Sequence, residues 1–386
     1  MPSADEPMWR SFRGASGDGE HVIAITAPPA LSFAAQIDAV ARRYAEATQS
    51  LRLPPDSAWF RRLYVSDAAN QAAQLRASSL VQEPLDSPVA VSVVQQPPLH
   101  DARLALLAYH VESAAPVTKR ALAPGHVLVE KRGLGHLWST GLCTADTAAP
   151  RPTVAQTRDV FADLIGMLAA NGATLADHCV RTWIYVKDVD VFYQDMVAAR
   201  SAVFADYGLT RATHYLASTG IEGACAHRYD TVLMDAWSIL GLQPAQVSYL
   251  NDHSRLCNTA DYNVTFERGT RIGYADRAQL LISGTASIDA AGQVVHRGDV
   301  ARQLAHALDN VAALLGAGGA GPDDLTHLIV YLRDPADYPR IAASLAERFP
   351  GLPLLILRGA VCRPEWLVEV EGIASIAQDA PHLPAF

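Results

Sequence analysis

Apolar residues recur with two different periods from residue 136 onward, which predicts short strands alternating with amphipathic helices. An apolar segment at 136–141 precedes a helical pattern at 153–171. A β-branched and aromatic segment at 181–188 then precedes a second helical pattern at 189–207, and the last strand pattern is at 231–236. The order strand, helix, strand, helix, strand, strand is typical of an α+β unit in which two helices cover one face of a mixed sheet.

The same series of elements occurs a second time, and the matching residues lie 146 positions apart, without a gap, over the stretch from Asp163 to Asp188. The segment Arg181–Asp188 matches His327–Asp334, and Tyr185 and Tyr331 are among the paired positions. The second copy has corresponding patterns at 280–284, 298–316, 336–349 and 367–372. A repeat of this length without gaps indicates that one structural unit has been duplicated within the chain.

This repeat predicts the division of the chain. Residues 121–245 form the first unit, residues 246–258 a linker and residues 259–386 the second unit. Residues 1–120 contain one helical pattern and two strand patterns, and we interpret them as an N-terminal elaboration that packs on the first unit.

Composition limits the classes of partner. Half of the 386 residues are hydrophobic and 18% are charged, which is typical of a globular protein. The net charge of −9 disfavours binding to nucleic acid and means that an anionic small molecule would need a local basic pocket. Apolar runs are too short for a membrane helix, and the first 20 residues are acidic where a signal peptide would be basic. We therefore expect a cytoplasmic protein without a membrane partner.

Cysteine spacing predicts neither a disulfide framework nor a zinc site. The five cysteines are widely separated and include no Cys-x-x-Cys pair. The segment Cys225-Ala-His227 and the other histidines do not have the spacing of a ligand set. We expect no metal.

Three segments of the second copy carry a resemblance to the Rid (YjgF-like) family. They are Leu281–Thr285, Leu328–Asp334 and Val368–Ala374, within a resemblance that extends from about Tyr262 to Ile376. The resemblance implies an α+β fold of tandem Rid-like (chorismate-mutase-like) units, each a mixed β-sheet with two helices packed on one face.

The whole chain, with its duplicated unit, is also similar to chorismatases. The segments that carry this similarity are Val93–Pro98, His136–Gly141, Tyr215–Ile221, Tyr274–Arg277 and Ser283–Asp289. The resemblance implies cleavage of chorismate into pyruvate and a ring acid, without metal or organic cofactor. The ring acid is a dihydroxycyclohexadiene carboxylate in some members and a hydroxybenzoate in others.

Chorismate is a dianion with an enol ether, so its cleavage requires a proton donor. A carboxylic acid is suitable when burial or a second carboxylate raises its pKa. Glu369 and Glu371 lie on one face of the last predicted strand, although a surface ion pair is the alternative interpretation. The resemblance assigns the catalytic acid to Glu369. The repeat aligns Glu371 with Asp235 but Glu369 with Leu233, so only the second copy has a carboxyl group there.

Arginines should hold the two carboxylates, because a guanidinium group binds two oxygens at once. The candidates are Arg132, Arg211, Arg228, Arg358 and Arg363. We favour Arg228 and Arg358, with Tyr215 as a hydroxyl partner, because they flank segments that carry the resemblance. Thr219 and Gly220 belong to the same segment as Tyr215 and complete the predicted substrate contacts.

Cys362 lies seven residues before Glu369. A single cysteine in an apolar stretch is usually a core residue. In chorismatases, however, a cysteine at this position looks like a feature of the benzoate-forming members. A small residue in the strand that contains Ser-Gly-Thr helps to determine which product forms. That residue would be Ala286, not glycine, which makes the signature mixed. We expect 3-hydroxybenzoate, with 4-hydroxybenzoate or the dihydroxycyclohexadiene carboxylate as alternatives.

Two other functions stay open: an imine/enamine deaminase of the Rid type and a non-catalytic small-molecule binder. Such deaminases resemble one another in a Pro-Ala-Arg segment before the penultimate strand, where this chain has Leu352–Ile356 without arginine. The difference between Glu369 and Leu233 disfavours the binder. Ordinary Rid proteins are trimers, and the duplication could replace one of their interfaces, so we expect a monomer or a homotrimer.

Overall fold

The computed structural model describes residues 7–82, 86–145, 148–259 and 264–386. The first six residues, part of the acidic N-terminus, and Tyr262, where the resemblance begins, lie outside the described residues. The described residues form three mixed β-sheets.

The first sheet has five strands in the order β1-β2-β5-β3-β4. Its strands are β1 (Met8–Arg13), β2 (Gly19–Thr26), β3 (Ala58–Val65), β4 (Ala90–Gln95) and β5 (Leu104–Glu112), with helices α1 (Phe33–Ser50) and α2 (Ala68–Arg76). The side chains of Ser32 and Asp67 accept backbone N–H groups of the first turns of α1 and α2, which fixes where these helices begin.

The second sheet has six strands in the order β10-β9-β11-β8-β7-β6. Its strands are β6 (Val117–Ala123), β7 (His126–Lys131), β8 (Leu134–Leu142), β9 (Cys179–Val186), β10 (Ala217–Glu222) and β11 (Val232–Leu240). Its helices are α3 (Thr153–Ala170), the short α4 (Leu175–His178) and α5 (Val189–Asp206). The hairpin β6–β7 precedes the repeated elements and extends one edge of the sheet.

The third sheet has six strands in the order β12-β13-β14-β17-β15-β16. Its strands are β12 (Val247–Tyr249), β13 (Gly269–Gly273), β14 (Arg277–Ala286), β15 (Leu325–Leu332), β16 (Leu354–Arg358) and β17 (Val368–Ala377), and its helices are α6 (Val300–Ala317) and α7 (Tyr338–Arg348). The edge strand β12 lies within the residues expected to form a linker.

All three sheets share one topology. The runs β2-β5-β3-β4, β8-β11-β9-β10 and β14-β17-β15-β16 have the same order, and in each run the last two strands are parallel and joined through a helix. The predicted α+β class, with repeated units of a mixed sheet and helices, is confirmed. The residues expected to form an N-terminal elaboration therefore contain a sheet with the topology of the other two.

The three sheets pack on a common core, while helices cover their other faces. Trp59, Trp237 and Tyr331, one from each sheet, belong to this core, and separate clusters lie under the helices of the first two sheets. Every residue of β9 and β15 is buried. Burial on both faces explains why these strands are largely apolar and do not alternate between apolar and polar residues. No helix among the described residues is long and apolar enough to cross a bilayer.

Strand register defines equivalent positions in the three units. A buried tyrosine on an interior strand of each sheet lies opposite one residue of the neighbouring strand. These pairs are Tyr64 with Ala105, Tyr185 with Leu233, and Tyr331 with Glu369. The register thus agrees with the sequence alignment of Leu233 and Glu369. Among the three equivalent positions, only the third carries a carboxyl group.

Candidate active site

A cavity of about 190 Å³ lies between the second and third sheets. The strand β10 and the helix α5 form one wall, and β14, the β16–β17 connection and β17 form the other. Pockets for drug-sized ligands usually begin at about 300 Å³. The cavity is therefore suited to a small ligand, such as a single substituted ring.

Glu369 lines this cavity from β17 and is buried. Burial, together with repulsion by Glu371, raises the pKa of Glu369 to about 8, although Arg181 and Arg268 act in the opposite direction. Most of the Glu369 carboxyl is therefore protonated at neutral pH. A protonated carboxyl beside a small cavity can act as a general acid.

Gly284 on β14 provides the space for the Glu369 side chain. A Cβ atom at position 284 would lie 2.3 Å from Oε1 of Glu369, which is closer than any ordinary contact. The pairing of β14 with β17 changes register between Ile282 and Thr285, next to this glycine. A register change of this kind redirects side chains at the point where it occurs.

Glu371 lies two residues further along β17, in a very different environment. Arg181 donates to Oε2 of Glu371 at 2.7 Å, and Trp183 and Tyr331 donate to Oε1 at 3.0 and 3.1 Å. Thr219 also donates to Glu371. These four donors, one of them a guanidinium group, fix the Glu371 side chain, which joins the second unit to the third.

The equivalent carboxylate of the second unit has the same kind of partner. Asp235 accepts from Nε of Arg62 in the first sheet at 2.9 Å, and both side chains are buried. Glu371 and Asp235 thus each connect their unit to the preceding one. Glu369 has no such counterpart, because Leu233 occupies the equivalent position.

Three arginines line the cavity: Arg200 on α5, Arg268 before β13 and Arg363 in the β16–β17 connection. Arg200 and Arg268 are buried, and the guanidinium group of Arg363 lies 4.8 Å from the ring centre of Trp366. In a chain of net charge −9, this is a locally basic pocket. It can attract an anion with more than one carboxylate.

The two arginines favoured from the sequence do not line this cavity. Arg228 is exposed in the β10–β11 connection. Arg358 is exposed at the end of β16 and lies 3.6 Å from Glu222. Proximity in sequence to the cavity segments was misleading, because alternate strand residues point to opposite faces and a loop residue can point to solvent.

The other basic candidates divide in the same way. Arg363 lines the cavity, whereas Arg211 is exposed and Arg132 lies 3.3 Å from Asp18. The predicted hydroxyl partner, Tyr215, also lies outside the cavity, with its ring 6.3 Å from that of Phe204.

Cys362, Ala286 and Gly220, which were predicted from the sequence as substrate contacts, line the cavity. Thr219 lies behind the wall, where its hydroxyl accepts from the backbone N–H of Gly284 at 2.9 Å. Desolvation raises the pKa of the Cys362 thiol to about 12, with the charge of Glu369 adding to the effect. Cys362 is therefore a neutral thiol and contributes shape rather than a nucleophile.

The comparisons with known proteins agree with this architecture. The family model described as Endoribonuclease L-PSP matches residues 271–376. A chorismatase of Streptomyces hygroscopicus is 29% identical over 212 residues, which cover 50% of this chain and 61% of that relative. A chorismatase of Streptomyces rapamycinicus is 29% identical over 232 residues, covering 55% of this chain and 67% of the relative. The match thus spans about three fifths of the first of these relatives.

Two further similarities concern single units and the whole fold. The 3-aminoacrylate deaminase RutC of Acinetobacter baylyi is 33% identical over 97 residues, covering 25% of this chain and 77% of that protein. A crystal structure of a chorismatase superposes with a TM-score of 0.64 at 19% identity, covering 95% of this chain and 98% of the other. The last similarity concerns the fold alone.

The strand order, the helices on one face of each sheet and the Endoribonuclease L-PSP match define a protein of repeated Rid-like units. The regions that match the two Streptomyces chorismatases, of 212 and 232 residues, are longer than one such unit. These similarities support a chorismatase family with a Rid-like fold, and the resemblance stated from the sequence is confirmed.

Proposed function

We propose that this protein cleaves the enolpyruvyl ether of chorismate into pyruvate and a ring acid. The observation that carries the proposal is the buried, largely protonated Glu369, which faces a small cavity lined by three arginines. The names of the two Streptomyces relatives support the same substrate. Arg200, Arg268 and Arg363 provide the positive charge for the two carboxylates of the substrate.

In the proposed reaction, Glu369 is the general acid. Its O–H proton adds to the methylene carbon of the enol ether, and the electron pair of the double bond forms the new C–H bond. In the branch with water, water adds to the oxocarbenium carbon, and the hemiketal passes a proton to the ether oxygen as it breaks down into pyruvate and the dihydroxycyclohexadiene carboxylate. In the branch without water, the oxygen of the neighbouring hydroxyl displaces the ether oxygen from its ring carbon. This step releases pyruvate, returns the hydroxyl proton to Glu369 and leaves a ring epoxide that isomerises to hydroxybenzoate. The low dielectric of the buried site strengthens the attraction between the guanidinium groups and the carboxylates.

The direct test is to incubate the purified protein with chorismate and to follow pyruvate with lactate dehydrogenase, while chromatography identifies the ring product. Pyruvate release well above the spontaneous rate supports the proposal, whereas release at that rate contradicts it. A deaminase would instead clear 2-aminoacrylate. The similarity to RutC is the observation that favours this second candidate, and the absence of arginine from Leu352–Ile356 counts against it.

The pH dependence of kcat/KM should report the protonation of Glu369. A general acid is active in its protonated form, and the pKa of Glu369 is raised to about 8. We therefore expect kcat/KM to be constant near neutral pH and to fall about tenfold per pH unit above about pH 8. The measurement is initial pyruvate release over about pH 6–10, with the coupling enzyme calibrated at each pH. A rate that instead rises over this range would indicate an ionised base and contradict the assignment.

We propose 3-hydroxybenzoate as the ring product, with Cys362 acting through the shape of the cavity. Replacing Cys362 by alanine removes a neutral thiol from the wall, so the fraction of 3-hydroxybenzoate should fall about tenfold or more in favour of the dihydroxycyclohexadiene carboxylate. Chromatography of the ring products measures this ratio. Cys179→Ala, which changes a buried cysteine outside the cavity, is the matched control. An unchanged product ratio in Cys362→Ala would exclude this role.

We further propose that the active form needs only one chain, because both walls of the cavity come from the same molecule. A monomer is then sufficient for the reaction, and a homotrimer would add no residue to the cavity. A cytoplasmic location is proposed as well. The five free cysteines are consistent with a reducing compartment.

A further inference from the structure

Four side chains with metal-binding atoms meet in the second unit, away from the candidate active site: Cys143, Cys225, His227 and Asp230. The ligand atoms of Cys143, His227 and Asp230 all lie within 4.8 Å of one another. The thiol of Cys225 is 3.7 Å from Oδ2 of Asp230 and hydrogen-bonds to the thiol of Cys143.

The topology of the second sheet brings these residues together. Cys143 directly follows β8, while Cys225, His227 and Asp230 lie in the connection between β10 and β11. The strands β8 and β11 are antiparallel neighbours, so the end of β8 lies beside the start of β11. The sequence does not show the spacing of a ligand set here, because Cys143 is distant along the chain from the other three residues.

Neighbouring groups orient the cluster from outside. Asp230 is buried and accepts from the backbone N–H of Ala145 at 2.9 Å and from the hydroxyl of Thr144. The backbone N–H of His227 points to the sulfur of Cys225 at 3.4 Å. Hydrogen bonds of this kind to the ligands are the usual support of a metal site in proteins.

The cluster occupies the place in the second unit that the candidate active site occupies in the third. The strand register makes positions on β10 equivalent to positions on β16, and positions on β11 equivalent to positions on β17. The number of residues from β10 to β11 is the same as the number from β16 to β17 when it is counted between these equivalent positions. The resulting equivalent pairs are Cys143 with Ala286, His227 with Arg363, and Asp230 with Trp366. The members of the third-unit pairs line the candidate active site. The same position in the fold thus carries a ligand set in one unit and a substrate cavity in the next.

We propose that Cys143, Cys225, His227 and Asp230 bind one zinc ion. Two thiolates, one imidazole and one carboxylate provide the four ligands that a closed, structural zinc site requires, and each of these ligand types binds zinc. The ion would tie the β10–β11 connection to the end of β8. Because β10 also forms a wall of the candidate active site, the zinc would stabilise that wall from behind without contacting the substrate.

Zinc content tests this proposal directly. The protein is produced in zinc-supplemented medium, purified without chelators and analysed by inductively coupled plasma mass spectrometry. We expect about one zinc per chain, falling to about a tenth of that in Cys143→Ser and His227→Ala. Cys179→Ala, which removes a buried cysteine outside the cluster, should keep the full zinc content. Equal zinc content in all variants would overturn the proposal.

A second measurement does not depend on the folding of any variant. Replacement of the zinc by Co²⁺ in the wild-type protein should give a thiolate-to-cobalt charge-transfer band and the intense visible bands of tetrahedral coordination. Native mass spectrometry of the purified wild-type protein shows whether zinc is bound and whether the cysteines are oxidised. A mass that includes one zinc ion supports the proposal. A metal-free mass, with the cysteines either reduced or joined as a Cys143–Cys225 disulfide, would overturn it.

Discussion

The variant Glu369→Gln should release pyruvate from chorismate about 10³-fold more slowly than the wild type. Glutamine has nearly the shape of a protonated glutamic acid and fits beside Gly284, but its amide does not donate a proton to carbon at neutral pH. Because the Glu369 carboxyl is already largely neutral in the folded protein, the substitution should cost little stability. The effect is therefore expected in kcat, with little change in substrate affinity.

Steady-state kinetics with the lactate dehydrogenase assay measures this loss, and calorimetric titration with chorismate measures the affinity. Glu365→Gln is the matched control, since Glu365 lies four residues earlier, in the β16–β17 connection, but is exposed and pairs with Arg297. The control should keep wild-type activity. Glu369→Gln activity above about a tenth of the wild-type rate would show that another group supplies the proton.

The second large effect concerns the buried ion pair between the second and third units. Arg181→Met should lower the free energy of unfolding by about 3–5 kcal/mol, because it leaves the charge of Glu371 buried without its cation. Arg181 and Glu371 are 1% and 3% exposed, so solvent cannot replace the lost partner. The double variant Arg181→Met/Glu371→Met should recover much of this loss, since neither charge is then buried.

Urea unfolding followed by circular dichroism gives these free energies. Arg333→Met is the matched control, because Arg333 also reaches across units, to Asp190 at 2.8 Å, but on a much more exposed surface. Its loss should be at most about 1 kcal/mol. Equal losses for Arg181→Met and Arg333→Met would show that burial of the first pair does not determine its contribution.

Much of the fold could be predicted because the strands and helices of the second and third sheets recur in the same order, with a constant spacing of 146 residues over Asp163–Asp188. The helix predicted at 153–171 is α3, and the last strand predicted at 367–372 is the first half of β17. The edge strands β6 and β12 were not predicted. Such strands are short and pair on one side only, so few of their residues need to be apolar.

The first sheet was harder to identify, although a signal was present. The segment Tyr64-Val-Ser-Asp67 matches Tyr185-Val-Lys-Asp188 and Tyr331-Leu-Arg-Asp334, with the first two tyrosines 121 residues apart. In all three, the tyrosine lies in the core and the aspartate directly precedes a helix or a helical turn. The different spacing, and the loss of the other shared residues, concealed this third occurrence.

The site was predictable where a polar residue interrupts an apolar strand, and less so elsewhere. Glu369 and Arg181 both interrupt an apolar strand in this way, although only Glu369 was predicted as a site residue. Arg200 and Arg268 lie in a helix and a connection, where arginines are common and no pattern indicates which ones point inward. Their role depends on the packing of two units, which a sequence read one segment at a time does not contain.

The three equivalent positions opposite the buried tyrosines, Ala105, Leu233 and Glu369, differ in a way that three identical subunits could not. In a homotrimer, one mutation to glutamate would bury three acids at once, and each acid with a raised pKa would destabilise the folded state at neutral pH. In a single chain that contains all three units, the stability of the folded state is lowered by only one such acid. With three different units in one chain, a reactive group can arise in one unit while the equivalent positions of the other two units stay apolar.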